Sequence, residues 1–330
     1  MKPARIALLG CGTVGGGLVR LLAASRARLA ASHGLSFTLA RVLVRDATRA
    51  RDGVAPALLT SRIEEAIPTD ADVVVELLGG LEPAHQLVRA ALARGLPVVT
   101  ANKALLAAHG ESLLALAREH GTTLGFEGSA GGGVPIVRAL RGGLAGNRVE
   151  ALEAILNGTC NVILTRMERD GCSFDAALRE AQAVGFAEAD PALDVGGRDA
   201  AQKLVVLAAL AFGHWMPLAR VRVRGIEDVT PERLAAARRN GRALRLVASA
   251  QRRDATLELA VEPRELPIEH PLAAVAMEQN AILVRGDTVG ELLFRGRGAG
   301  AGPTATAVLG DLCDAVTPRE RAWTHSVLLR

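Results

Sequence analysis

Asp199 and Lys203 stand at positions i and i+4 of the stretch RDAAQKL. A helix beginning near Arg198 would put both on one face, with Asp199 close to the positive end of the helix dipole. Such a pair could be a surface ion pair worth well under about 1 kcal/mol, or it could bind a substrate and protonate it. Lysine is rare in this chain: of 39 Lys and Arg residues, only Lys2, Lys103 and Lys203 are lysine. An amine can pass a proton during turnover, whereas a guanidinium stays charged. Lys203 is therefore read as a candidate proton donor. Around it, Glu188, Asp190, Asp194 and Asp199 crowd the stretch FAEADPALDVGGRDAAQKL. A divalent cation is one reading of these acids, but they lack histidine and the D-x-D-x-D-G spacing of a calcium loop.

A second constellation, GCGTVG at 10–15, follows the apolar run RIALL and opens a helical segment. There GxGxxG has a mechanical meaning: Gly10 permits a tight turn, Gly12 lets the backbone approach a pyrophosphate, and Gly15 allows close packing. Thr13 and Val14 belong to the same first turn, whose free amides attract phosphate. Downstream, VLVRDATRAR places Arg45 at the end of the second strand, with Arg49 and Arg51 behind it. Arginine suits a ribose 2′-phosphate, which favours NADP. Asp46 is adjacent, so a one-residue shift would favour NAD. Lys103, in TANK after the strand-like PVVT, falls beyond a strand's carboxyl end, where ligands of open α/β sheets bind.

These groups need a scaffold, and the hydrophobic pattern supplies one. Up to about residue 126, apolar runs (RIALL, TLARVLV, DVVVEL, PVVT, TTLGF) alternate with helical segments. That is the pattern of βαβ units on a parallel sheet covered on both faces. The glycine-rich GSAGGGVP at 128–135 reads by composition as a flexible linker. Beyond it, VEALEAIL, helical segments near 158–169, 173–184 and from 198, and four later strand-like runs that partly alternate polar and apolar residues predict an α+β unit with antiparallel strands. The expected fold is α/β, with an N-terminal Rossmann, doubly wound parallel-sheet domain (1–134 plus 303–330) and a second α+β substrate-binding domain (135–302).

Composition narrows the functional classes. A formal charge of +4 with scattered arginines, 2% aromatics and no tyrosine argues against nucleic-acid binding. The longest apolar stretch, LVVLAALAF at 204–212, falls well short of the roughly 20 residues that span a bilayer. Glycines interrupt the N-terminal apolar run where a signal peptide would continue, so a cytoplasmic protein is expected. The four cysteines lie far apart with no CxxC and are read as free thiols.

Taken together, GCGTVGGG (10–17), ELLGGLEPA (76–84), TANKALL (100–106), FEGSAGGGVPIV (126–137), ILNGTCNVILTRME (155–168), AEADPALDVGGRDAAQKL (187–204) and GAGAGPTATAVLGD (298–311) resemble the homoserine dehydrogenase family, in its order and over nearly the whole chain. The resemblance implies NAD(P)H-dependent, reversible reduction of L-aspartate 4-semialdehyde to L-homoserine, on the route to threonine, methionine and isoleucine. It implies Lys203 as proton donor, Asp199 and Glu188 as substrate-binding carboxylates with Asp194 in the same pocket, and Lys103 where nicotinamide and substrate meet. It further implies a structural sodium ion held by carbonyls of Glu127, Ala130, Gly132 and Val134, and an approach of Gly300 and Gly302 to the nicotinamide. A homodimer or dimer of dimers, formed through the second domain, is also implied. The chain departs from the family at Phe186, Val162 and Arg297, the last in the terminal glycine loop. It has no regulatory module before it stops at Arg330, so threonine inhibition through one is not expected. The competing readings are another two-domain dehydrogenase, including a thioester-forming one that would need a placed cysteine, and a non-catalytic nucleotide sensor.

Overall fold

A computed structural model describes residues 3–253 and 256–317; Lys2 and the 318–330 part of the expected first domain lie outside the described residues. The chain divides into two compact units, Met1–Gly133 with Gly300–Arg330, and Val134–Ala299.

The first unit runs β1 (Ala4–Leu9), α1 (Thr13–His33), β2 (Phe37–Leu43), β3 (Leu59–Thr60), β4 (Val73–Glu76), α2 (Ala84–Ala93), β5 (Val98–Thr100), α3 (Lys103–Glu119) and β6 (Leu124–Gly125). Its strands are all parallel, in the order β3-β2-β1-β4-β5-β6. β4 is buried at every position and β1 at its last four, which is why they read as unbroken apolar runs. The strand order reverses between β1 and β4, and such a switch point opens a crevice beyond the carboxyl ends. A helix at Ala301–Val316 returns to this unit and inserts Ala305, Val308, Leu309 and Leu312 into the core built on Ile6, Leu8, Leu18, Val73 and Val75.

The second unit contains α4 (Ile136–Arg138), β7 (Val149–Ile155), α5 (Gly158–Asp170), α6 (Phe174–Ala183), α7 (Ala192–Val195), α8 (Arg198–Phe212), β8 (Arg222–Val223), α9 (Pro231–Arg239), β9 (Arg242–Arg253), β10 (Thr256–Pro267), β11 (Gln279–Gly286) and β12 (Gly290–Arg297), after which the returning helix is α10. Its sheet has the order β12-β11-β7-β9-β10-β8. Pairing is antiparallel except for β8, which shortens to two residues and runs parallel to β10. RVRVRGI alternates as a strand should, but only Arg222 and Val223 pair, and both are exposed. α8 has eleven of its fifteen residues buried, so it is covered on nearly every side rather than along one stripe. Among the described residues no helix is long and apolar enough to cross a membrane.

The segment 128–135 is not the flexible linker that composition suggests. Ser129, Ala130 and Val134 are buried, a 3-10 turn spans Glu127–Ser129, and Asp311 Oδ2 of α10 accepts the Glu127 N–H at 2.7 Å. Glycine-rich sequence here serves close packing: a Cβ on Gly128 would touch Ala101 and Thr304.

Candidate active site

In the first unit, the turn after β1 is shaped by its glycines. Gly10 has φ +97°, and a Cβ there would lie 2.6 Å from the Leu77 carbonyl oxygen at the end of β4. A Cβ on Gly15 would sit 2.2 Å from the Gly10 carbonyl oxygen, so any larger residue would break the turn. Around Gly12 the space is open, with nothing within 4 Å of a Cβ position. α1 starts there without a side-chain cap, leaving the first-turn amides of Thr13, Val14 and Gly15 for a ligand. The open cradle beside Gly12 fits a dinucleotide pyrophosphate.

Arg45 is exposed just past β2. Asp46 is held in its own turn, its Oδ1 accepting the Thr48 N–H at 3.0 Å and the Thr48 hydroxyl at 2.6 Å. Those bonds keep its carboxyl below the usual range and ionised. Burial raises the pKa of the Cys11 thiol within the glycine turn, and the charges of Arg51 and Arg20 partly offset it.

Lys103 is the first residue of α3, half-buried, and the helix starts there because Asn102 Oδ1 accepts the Leu105 N–H at 3.1 Å. Asn102 Nδ2 in turn donates to the Gly80 carbonyl at 2.7 Å and to Glu76 Oε1 at 3.3 Å. Glu76 is fully buried, and burial raises its pKa, partly offset by the hydrogen bonds it accepts from Thr100, Leu78, Gly79 and Asn102. This network was missed at the level of sequence, although an acid ending the apolar run DVVV was a usable signal.

In the second unit, Lys203 Nζ donates at 2.8 Å both to Asp199 Oδ2 and to the Leu156 carbonyl, where β7 ends. Lys203 is 9% exposed and Asp199 5%, which overturns the surface-pair reading. Asn157 draws the acids together: its Nδ2 donates to Asp194 Oδ1 at 2.7 Å and to Asp199 Oδ2 at 2.8 Å, while its Oδ1 accepts the Cys160 N–H and caps α5. Asn280 Nδ2 also donates to the Leu156 carbonyl, at 3.0 Å. Its amide fills the place that a side chain at Gly298 would need, 2.0 Å from a Cβ position, so the loop after Arg297 can carry only glycine there. Neither asparagine was singled out from sequence, because each acts on residues distant in the chain. Glu188 is exposed, its backbone carbonyl accepts from Gln182 Nε2 at 3.1 Å, and no hydrogen bond among the described residues ties its carboxylate to Asp194 or Asp199. No group of three or more metal-ligating side chains forms among the described residues.

Cys160 adjoins this cluster, donating its thiol to the Asp194 carbonyl at 3.1 Å. Burial, followed by the charges of Asp194 and Asp199, pushes its pKa well up. A protonated, enclosed thiol is a poor nucleophile, which disfavours a thioester route through it.

Glu127, Ala130 and Val134 are buried, and Gly132 has φ +58°. The Val134 carbonyl accepts the Ile136 N–H at 2.8 Å, while no donor among the described residues reaches the carbonyls of Ala130 or Gly132. Buried carbonyl oxygens without donors suit a hard cation. Gly300 and Gly302 are exposed at the start of α10, Gly300 at φ +111°.

Comparison with known proteins agrees across the chain. A family model described as "Homoserine dehydrogenase, NAD binding domain" matches residues 10–127, and one described as "Homoserine dehydrogenase" matches 135–313. The homoserine dehydrogenase of Bacillus subtilis is 43% identical over 94% of this chain and 72% of its own length. The crystal structure of a homoserine dehydrogenase from Thiobacillus denitrificans superposes with a TM-score of 0.92 at 43% identity, covering 96% of this chain and 73% of that one. A hyperthermophilic archaeal homoserine dehydrogenase in complex with NADPH superposes at 0.79 with 27% identity, covering 95% and 98%.

Proposed function

The chain belongs to the homoserine dehydrogenase family, and on that premise we propose how its residues divide the work. The activity is that of an NAD(P)-dependent oxidoreductase interconverting L-aspartate 4-semialdehyde and L-homoserine. One observation carries the assignment of roles: two of the three Lys203 N–H bonds are fixed, on Asp199 Oδ2 and on the Leu156 carbonyl, inside a buried site. The remaining N–H is aimed by those two and serves as the proton donor to the substrate carbonyl oxygen. A donor so fixed needs little reorganisation as the oxyanion develops. The carboxylates of Asp199, Asp194 and Glu188 hold the substrate ammonium, and Asn157 keeps the first two in place. Lys103 contacts cofactor and substrate from the start of α3.

The bound cofactor supplies the hydride. Gly10, Gly12, Thr13, Val14 and Gly15 hold its pyrophosphate, with Gly300 and Gly302 towards the nicotinamide. NADP is the preferred form, since Arg45 stands exposed just past β2, where a ribose 2′-phosphate would meet it, and the archaeal relative binds NADPH. Initial rates with L-aspartate 4-semialdehyde should give a higher kcat/KM with NADPH than with NADH. Arg45→Ala should narrow that ratio by about tenfold, the scale of one lost charge-assisted pair. Equal kcat/KM for the two cofactors in the unmodified enzyme would remove the NADP assignment.

Carbonyls of Glu127, Ala130, Gly132 and Val134 hold a structural Na+. Exchanging sodium for tetramethylammonium at constant ionic strength should lower Tm, because a ligand bound only by the folded state stabilises it. An unchanged Tm would argue against the ion.

A further inference from the structure

We propose that Glu76 is a positioning residue for Lys103 and for the nicotinamide end of the cofactor crevice. β4 consists of three buried valines and then this glutamate, which is as completely buried as they are. In the parallel pairing of β4 with β5, Glu76 lies opposite Thr100, and Thr100 Oγ1 donates to Glu76 Oε2 at 2.5 Å. Oε1 accepts the Leu78 N–H at 2.8 Å, the Gly79 N–H at 3.3 Å and Asn102 Nδ2 at 3.3 Å. The Thr100 oxygen also accepts the Asn102 N–H at 3.0 Å. A single side chain thereby joins the loop between β4 and α2 to the turn that launches α3, and Lys103 is the first residue of that helix. Both loops leave the carboxyl edge of the sheet beside the switch point, where the Gly10 turn also packs on Leu77.

The chemistry calls for a carboxylate. Donors converge on both oxygens, and only an ionised carboxylate can accept at both ends. Glutamine would turn its amide N–H towards the Thr100 hydroxyl and leave one proton without an acceptor. Burying a carboxylate is costly, and the upward pull of burial on its pKa registers that cost. A fourth valine would serve the core without it. Holding two loops in register explains why an acid is retained there.

This inference rests on the role assigned to Lys103, so the test includes that residue. Tm, kcat at saturation, and the Kd of NADPH and of 2′-phospho-ADP-ribose, which lacks the nicotinamide, would be measured for the unmodified enzyme, Glu76→Gln and Lys103→Ala. For Glu76→Gln, we expect kcat to fall by about tenfold or more and NADPH to bind more weakly, while 2′-phospho-ADP-ribose stays within about twofold, as small misplacements act on turnover before fold. If Glu76→Gln does not fold, Thr100→Val cuts one of the same links and should show the same pattern more weakly. Equal weakening of both ligands, or a turnover loss no larger than the unfolded fraction, would reduce Glu76 to a structural residue. Normal turnover and NADPH affinity in Glu76→Gln beside an inactive Lys103→Ala would overturn the role of Glu76 alone. Full turnover in Lys103→Ala would remove the assignment of Lys103, and the positioning of Lys103 with it.

Discussion

Lys203→Arg and Lys203→Met are each expected to lose about two to four orders of magnitude in kcat, the usual contribution of a positioned acid, with the affinity for NADPH largely kept. Methionine keeps most of the apolar stem of lysine and removes the ammonium, and with it both the proton source and the charge paired with Asp199. Arginine keeps the charge and can still reach Asp199, but its guanidinium does not release a proton in turnover. Its bulk must also fit where Lys203 Nζ already contacts the Leu156 carbonyl and Asp199 at 2.8 Å. The glycine turn proposed to hold the cofactor belongs to the other unit, so NADPH titrations by fluorescence should report intact binding in both variants. Steady-state reduction of L-aspartate 4-semialdehyde reads the loss directly. Near-normal turnover by Lys203→Arg would strip Lys203 of the proton-transfer role and leave it a structural cation.

Asp199→Ala should be the most destabilising single change in the second unit's site. It leaves the Lys203 ammonium in a buried place without its carboxylate and frees Asn157 Nδ2 from one of its two acceptors. Removing one member of a buried ion pair costs about 3–5 kcal/mol, which translates into a fall in Tm on the order of ten degrees for a unit of this size. The double variant Asp199→Ala with Lys203→Met removes both charges and should recover much of that loss, since an apolar replacement of a buried pair is often close to neutral. Thermal unfolding of the two single variants and the double variant checks this. If Asp199→Ala melts within a degree or so of the unmodified enzyme, the pair is effectively screened by water.

Much of this site can be read in the chain because its signals are local. The helix that carries Asp199 and Lys203 begins at Arg198, as the one-face argument requires, and α3 begins at Lys103. The strand before GCGTVG and the helix after it are equally legible, since apolar runs and glycine turns act over a few residues. Composition misled at 128–135, where glycines that look like slack instead permit close contact with Ala101, Thr304 and Pro303. It also missed Glu76, Asn157 and Asn280, because polar residues of these types are ordinary until their burial is known.

The sequence by itself determined which elements form, that a dinucleotide turn stands after β1, and that one acid and one amine share a face of α8. These follow from backbone propensity and from spacings of three or four residues. Only the tertiary structure decided that this pair is buried, that the end of β7 brings the Leu156 carbonyl and Asn157 to it from more than 40 residues away, and that Glu76 meets Thr100. Those facts depend on strand order and register, which place residues together through pairings between distant segments. No local pattern specifies them, and the same contacts turn what could have been a surface ion pair into a buried one with a fixed geometry.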